Sequence, residues 1–530
     1  VSAGAGTGVD AVHTLPSIVA DPAVTTALAA DLTAAGFTVE RLDSLWGAEA
    51  AASLHRGSRV AALRALAARE TTPLGTLATL FVLGLPVARA DAAAAFPTAG
   101  LDAVIAAGLL RSEGEGDGAD ALVHPAVDLR PYAFVDDLGA GSWWIVSDLG
   151  ELALGHAISE EHVLGIGGAT TTLSGLQVPV PVERVLDLGT GCGIQAMHAR
   201  RFADQVVATD ISRRALDIAR FNARLNGIDG IDFRFGSLFE PVAGERFDRI
   251  VSNPPFVITP RREGVPSYEY RDGGMVGDAL VETVLRGLEA HLEPGGTAQL
   301  LGNWEYHWGV DGLDRVRAWF ADTDLDVWVI ERERQDPTSY AETWIRDGGT
   351  KPGTAEFDTL TGAWLDDFAD RRVIGVGFGY VVVRRPLPGG PAALRRFERV
   401  PETLGSNPAG LGATVARVLD AAAWLALHDD AALAAAHLSV AGDVTEERYY
   451  WPGNDDPTVM TLVQGGGLGR RVDADTALAA FVGACDGDLS VTVIIGALAQ
   501  ITGVDEQALA ADLLPAARDL VLDGLLVPAA

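Results

Sequence analysis

The chain has 530 residues, 48% of them apolar and 21% charged, with 40 basic and 72 acidic side chains and a formal charge of −32. This composition excludes a disordered, collagen-like or coiled-coil chain and leaves room for about three or four domains. Its field opposes loose attraction to nucleic acid or anionic lipid, without forbidding a local basic cleft.

The first region runs over residues 1–165. Asp21 can cap a helix that reaches Ala30 and Thr33, with Leu28 and Leu32 on one face. Helical patterns follow at Arg59–Arg69, Leu74–Leu85 and Leu101–Leu110. Arg111–Asp120, rich in glycine and acids, reads as a loop. Ala121–Val127, Tyr132–Asp136 and Trp143–Ser147 read as short strands, the first interrupted by Pro125. Helices followed by a small hairpin predict a winged-helix-like module. The most apolar run, Leu74–Ala88, is broken by Gly84 and Pro86 and is shorter than the ~20 residues that span a membrane. No basic segment followed by an apolar one opens the chain, so no signal peptide is expected. Two cysteines, Cys192 and Cys485, cannot make a disulfide framework for this length, which predicts a reducing, cytoplasmic setting.

The second region, 166–390, alternates strand and helix. The strand candidates are Arg184–Leu188, Gln205–Thr209, Ile231–Phe235, Arg249–Ser252, Thr297–Leu301, Asp326–Glu331 and Val373–Val383. The helices between them include Ile194–Arg201, Arg213–Asn226, Gly277–Leu292 and Leu313–Phe320. Such alternation predicts a doubly wound, mainly parallel sheet. An insertion, 332–371, separates the sixth and seventh strands and exceeds ordinary connection lengths. The third region, 391–530, is expected to be mainly helical and winged-helix-like; its clearest helices are Asp473–Val482, Val491–Ile501 and Asp505–Asp523, and Leu525–Val527 reads as a final strand.

Chemistry is concentrated in the second region. Asp187-Leu188-Gly189-Thr190-Gly191-Cys192-Gly193 follows a strand and opens a helix. Glycines there let the backbone turn sharply and approach a ligand closely. Asp210 ends the next strand, where an acid can accept hydrogen bonds from both hydroxyls of a ribose. A dinucleotide and S-adenosylmethionine both suit a nucleoside-binding loop of this kind. The dinucleotide pattern places its third glycine on the helix, whereas Gln195 and Ala196 stand here, so the spacing favours S-adenosylmethionine. No Cys/His set has zinc spacing, and no metal is implied.

The fourth strand ends in Asn253-Pro254-Pro255-Phe256. Ligands of open α/β sheets bind beyond the carboxyl ends of the strands, so this loop should face the same crevice. A planar amino group is a poor nucleophile because its lone pair is delocalised. The Asn253 side-chain oxygen and the Pro254 carbonyl can hold both its N–H bonds, aim the lone pair at a methyl donor and stabilise developing positive charge. Pro255 stiffens the bend, and the Phe256 ring offers a face for a flat amide or base.

Together these segments resemble the class I S-adenosylmethionine-dependent methyltransferases, and within them the N-P-P-F/Y amino methyltransferases. Over residues 160–390 the chain is similar to small-subunit ribosomal RNA guanine-N2 methyltransferases and release-factor glutamine methyltransferases. The resemblance implies a Rossmann-like, seven-stranded α/β methyltransferase domain, flanked by a mixed α+β N-terminal domain and a mainly helical C-terminal one. It implies that Asp187, Gly189, Thr190, Gly191 and Gly193 surround the methionine end of the cofactor, and that Asp210 and Ile211 hold ribose and flank adenine. Ser237 stands where relatives often carry an adenine-binding acid; its hydroxyl, or the backbone at Leu238, would serve instead. Asn253, Pro254, Pro255 and Phe256 would be catalytic. His162–Thr170 sits where relatives close over the cofactor, and Tyr270–Asp278 is similar to a glycine-rich stretch of the glutamine enzymes.

The acceptor is open. RNA is the leading expectation: residues 181–400 carry 27 basic and 34 acidic side chains, far less acidic than the flanks. Arg261 and Arg262 could meet phosphates, and Tyr268 and Tyr270 could stack bases. A protein glutamine amide is the alternative, favoured by Gly273–Asp278 and the acidic envelope. A third is a small-molecule acceptor, with Tyr340, Trp344, Trp364 and Phe368 of the insertion closing a pocket or merely packing an added subdomain. The cluster Tyr449-Tyr450-Trp451-Pro452 reads equally as partner surface or core. No membrane partner is expected.

Overall fold

The computed structural model describes residues 17–112, 121–154, 158–159, 161–262, 264–266, 271–390 and 392–529. The chain forms two compact units, one of residues 1–132, 143–156 and 213–229, the other of 133–142, 157–212 and 230–530.

In the first unit, Asp21 caps the helix Pro22–Ala35 by accepting the Ala23 and Val24 N–H groups at 2.7 and 3.2 Å, and Gly36, at φ 67°, ends it. Leu28 and Leu32 are buried. The helix Pro73–Leu77 continues through the wider turn Ala78–Val82. Then follow a strand at Val87–Ala88, helices Arg89–Ala95 and Leu101–Ala106, and strands Leu110–Ser112 and Leu122–Pro125, which form one three-stranded sheet. Asn222 exchanges two hydrogen bonds with the Val146 backbone, at 2.8 and 2.9 Å, and Asn226 does the same for Trp144. Asn222 on the helix Arg213–Leu225 and Asn226 in the turn just beyond it thus satisfy the edge of a strand.

The second unit is built on an eight-stranded sheet. Its elements are α1 (Gly168–Leu176), β1 (Val182–Leu188), α2 (Ile194–Arg200), β2 (Ala203–Asp210), β3 (Ile231–Phe235), β4 (Phe247–Ser252), α3 (Ala279–His291), β5 (Leu292–His307), α4 (Gly312–Trp319), β6 (Asp326–Gln335), α5 (Pro337–Asp347), α6 (Ala355–Asp370), β7 (Val373–Arg384), β8 (Arg395–Arg399) and α7 (Gly412–Leu427). The strand order is β8-β6-β7-β5-β4-β1-β2-β3. β3, β2, β1, β4 and β5 run parallel, and β7 is antiparallel to both β5 and β6. All seven predicted strands are present. The eighth, β8, parallel to β6, is not anticipated. Its sequence, Arg-Arg-Phe-Glu-Arg, is nearly all charge, as suits a protected sheet edge rather than a core strand.

The strands alternate between two faces. Ala298, Leu300, Trp304 and Tyr306 of β5 join Val327 and Val329 of β6 under α3 and α4. Leu301, Trp328, Ile330, Tyr380 and Val382 face the other way, against Leu173 and Leu176 of α1 and Val415, Val418 and Leu419 of α7. Glycine in β7 has a packing cause. A Cβ on Gly377 would lie 2.3 Å from Trp304 Nε1 and 2.4 Å from Glu331 Oε2, atoms already bonded to each other at 2.6 Å.

The insertion starts later than expected, because β6 continues to Gln335. It consists of α5 and α6, capped by Asp336 and Thr354. Tyr340, Trp364 and Phe368 are buried among Val257, Ile258 and Ile345. The C-terminal region carries, beside its helices, two three-stranded sheets: His437–Val440, Asp486–Ser490 and Leu526–Pro528, and Val444–Tyr449, Val459–Gln464 and Arg471–Ala474. Of these only the last strand of the first sheet is foreseen in sequence; the others are short and half-exposed, so apolar alternation is weak.

Candidate active site

Leu188 of β1 and Ser252 of β4 are register partners, and the Ser252 hydroxyl donates to the Leu188 carbonyl at 2.7 Å. The glycine loop and the Asn-Pro-Pro-Phe bend therefore leave adjacent strands at one end of the sheet, about 5 Å apart. Sequence spacing alone could not supply this register.

Gly189, Gly191 and Gly193 have φ of 77°, 54° and 88°, a region that other residues enter at a cost. The Gly189 and Thr190 N–H groups both donate to the Thr209 carbonyl at 2.9 Å, which seats the loop on β2. A Cβ at Gly189 or Gly191 would meet nothing within 4 Å. The outer side of the loop is open space, a cradle that a side chain would begin to fill. Below it Asp187 is fully buried. Its Oδ2 accepts the Thr190 hydroxyl at 2.6 Å, while its Oδ1 is buried without a hydrogen-bond partner among the described residues. Burial pushes the carboxyl up to about 7. The Thr190 hydroxyl and the Ala196 N–H favour the charged form, and Asp210 adds to the rise. Cys192 is buried and its thiol pushed up to about 11 by that burial, the opposite of a thiol activated for attack.

Asp210, at the end of β2, holds the loop from the side. Its Oδ2 accepts the Gly191 N–H at 2.9 Å and its Oδ1 the Ser212 N–H at 2.8 Å. Burial raises its carboxyl against these backbone donors. Each carboxylate oxygen accommodates a further donor. Ile211 beside it is 60% exposed. After β3 the Gly236 N–H donates to the Asp210 carbonyl at 3.0 Å, which brings the Ser237-Leu238 turn to the same edge. Leu238 has φ 47° and shares positive φ with only Arg372 among the described non-glycine residues. Such backbone strain clusters at ligand-holding turns.

The Asn253 side chain is half-buried, with Oδ1 shut from water and unpaired among the described residues. Pro254 is buried and Pro255 half-buried. Phe256 forms an antiparallel bridge with Asp272, and the Val257 N–H donates to the Arg271 carbonyl at 2.8 Å. The half-buried Phe256 ring lies 5.5 Å from Phe378 and 6.5 Å from Trp344, tilted 52° and 76°.

The insertion supports this bend. Tyr340 of α5 accepts the Ile258 N–H at 3.0 Å and Asn303 Nδ2 at 2.7 Å. Arg271 donates to the Trp344 carbonyl at 2.8 Å and to Asp347 at 2.7 Å. The part played by Tyr340 and Asn303 is not legible in sequence. A tyrosine in an over-long connection is the only signal, and it gives no partner. Arg261 is committed to Asp272 and to the Met275 carbonyl, and Arg262 to Asp366 and Asp370. Tyr268 and Tyr270 lie outside the described residues. Among the described residues no group of three or more His, Cys, Asp or Glu could hold a metal ion.

Comparison with known proteins agrees with this arrangement. Residues 167–306 match the methyltransferase small domain family; residues 34–121 and 416–528 match two families described as domains of unknown function. The chain is 42% identical over 132 residues to the release factor glutamine methyltransferase of Xylella fastidiosa, covering 23% of this chain and 48% of that protein. It is 37% identical over 140 residues to the ribosomal protein uL3 glutamine methyltransferase of Bradyrhizobium diazoefficiens, covering 24% and 44%. To the uL3 enzyme of Bordetella pertussis it is 32% identical over 169 residues, covering 29% and 56%. The chain thus spans about half the length of the curated relatives it matches. Residues 167–306 are thus similar to the methyltransferase small domain family, and they place the glycine loop, Asp210 and the Asn-Pro-Pro-Phe bend at one end of an α/β sheet of order β3-β2-β1-β4-β5-β7-β6 that continues beyond them.

Proposed function

We propose that the chain is an S-adenosylmethionine-dependent methyltransferase that methylates a planar amide nitrogen, that of a glutamine side chain in a protein. The observation that carries this reading is the buried Asn253 Oδ1 just after β4, unpaired among the described residues, one strand away from the open side of the glycine loop. A buried acceptor without a donor costs about 1–3 kcal/mol, which an N–H of a bound acceptor amide would recover.

The residues fit the cofactor. Asp187, Gly189, Thr190, Gly191 and Gly193 would surround its methionine end, Asp210 its ribose, and Ile211, Ser237 and Leu238 its adenine. When bound, S-adenosylmethionine supplies an electrophilic methyl group on a sulfonium. Asn253 Oδ1 and the Pro254 carbonyl take both N–H groups of the acceptor amide and turn its lone pair out of conjugation. They then stabilise the positive charge that grows on nitrogen. Phe256 fixes the plane of the amide, and Pro254 and Pro255 keep the acceptors from relaxing. An alkylated amide nitrogen is strongly acidic, so it loses its proton to water without a dedicated base.

Three observations support a protein acceptor. The matched relatives carry glutamine methyltransferase names. Arg261 and Arg262, which could have met phosphates, are held by carboxylates. The net charge is −32. An exocyclic base amine of RNA is the second reading, favoured by the aromatic faces of Phe256, Phe378 and Trp344. We assign acceptor recognition to the terminal regions, 1–165 and 391–530, and place the chain in the cytoplasm, where buried thiols such as Cys192 and Cys485 stay reduced. Among the described residues no helix is long and apolar enough to cross a membrane.

The test is transfer of tritium from methyl-labelled cofactor into a lysate of a strain lacking the gene. A glutamine acceptor predicts label that resists ribonuclease and is released by protease. Label released by ribonuclease would replace the protein acceptor with RNA.

A further inference from the structure

The residues Tyr449-Tyr450-Trp451 are not core. They sit where the strand Val444–Tyr449 turns toward Val459–Gln464, and they are 52%, 49% and 67% exposed, with Val459 at 48% beside them. Single exposed apolar residues are ordinary, but three consecutive aromatics at one hairpin end form a patch that usually has a partner.

The turn that presents them is built. The Thr458 N–H donates to the Tyr449 carbonyl at 2.8 Å, the Asn454 N–H donates to the Trp451 carbonyl at 3.0 Å, and Gly453 supplies a left-handed step at φ 86°. Charge on the hairpin is divided unequally. Arg448 pairs with Glu446, and Arg471 of the neighbouring strand pairs with Glu447. Asp455 and Asp456 are exposed, and no ion pair holds either among the described residues. The tip therefore combines exposed aromatics with two exposed carboxylates, and among the described residues of the hairpin no cation is left unpaired.

We propose that this hairpin tip docks an extended, arginine- and lysine-rich segment of a partner protein. Cations of such a segment would lie over the faces of Tyr450 and Trp451, and their neighbours would pair with Asp455 and Asp456. Charge complementarity selects this occupant: eight arginines stand against nineteen carboxylates in residues 391–530, a field that repels phosphate and attracts a cationic peptide. The proposal does not depend on the identity of the methyl acceptor.

The experiment is fluorescence anisotropy of the full-length chain with a labelled twelve-residue peptide of alternating arginine and glycine. A glutamine-for-arginine peptide and a single-stranded RNA twelve-mer serve as comparison probes. The arginine peptide is expected to bind, with affinity that falls as salt rises, and neither comparison probe is expected to. Trp451→Ala should lower affinity by about tenfold, as loss of an aromatic anchor does, and Trp451→Phe should recover most of it. Asp455→Asn with Asp456→Asn should weaken binding and flatten the salt dependence. Trp451, Asp455 and Asp456 are all exposed, so thermal melting should be unchanged. Failure of the arginine peptide to bind, equal affinity of wild type and Trp451→Ala, or preference for the RNA would each overturn the proposal.

Discussion

Asp187 turns both carboxylate oxygens into protein; Oδ2 accepts the Thr190 hydroxyl, and Oδ1 has no hydrogen-bond partner among the described residues. Its carboxyl stands at about 7 against an ordinary value of 3.8, and the sign of the consequence follows from linkage. Below about 4 the group is protonated in both folded and unfolded chains. From there to about 7 the unfolded chain gives up its proton while the folded chain keeps it, so this group lowers stability as pH rises and adds no further slope above 7. Asp187→Asn keeps the shape without the charge. Urea titrations should show the variant gaining on wild type between pH 4 and 7, by about 1–4 kcal/mol in all. A constant difference across that window would place the charge elsewhere. Asp210 differs, because both its oxygens already meet backbone N–H groups. Asp210→Ala should weaken cofactor binding by about tenfold or more through loss of charge-assisted hydrogen bonds. Calorimetry returning the wild-type affinity would remove its ribose role.

At the scale of elements, the pair α5 and α6 supports the Asn-Pro-Pro-Phe bend by packing and by hydrogen bonds, among them those of the Tyr340 hydroxyl. Tyr340→Phe would leave the Ile258 N–H and Asn303 Nδ2 buried without an acceptor, at a cost of about 1–3 kcal/mol. Turnover should fall while cofactor affinity stays near wild type; a variant as stable and as fast as the parent would show the insertion to be passive. The legibility of each element follows its burial. β1, β2, β4 and β7 are apolar or β-branched runs placed centrally in the sheet, and their cores read directly from sequence. β8 is charged, and Arg332–Gln335 at the end of β6 carries no apolar signal, so one strand is missed and the other cut short. At the site, the glycines and the Asn-Pro-Pro-Phe bend announce themselves because their backbone demands are unusual. The long-range partners, Tyr340 on Ile258 and Ser252 on Leu188, arise from register and packing that no local pattern encodes.

For the whole molecule, acidity is spread over both flanks, and the arginines nearest the bend are already spoken for. The apolar face of the sheet under α7 shows that residues beyond 391 contribute to the core of the second unit, which a reading by composition alone assigns to a separate helical region. The proposed function unifies sheet, loop and bend: adjacent strands bring the glycine loop and the Asn-Pro-Pro-Phe bend to one edge, where the proposed transfer would take place. The most direct test is label transfer by Asn253→Ala, paired with calorimetry of S-adenosylmethionine on the same protein. The account predicts cofactor affinity close to wild type and transfer reduced by about a hundredfold or more, the scale of losing a preorganised acceptor at the reacting group. Undiminished transfer by a variant that binds cofactor normally would contradict it.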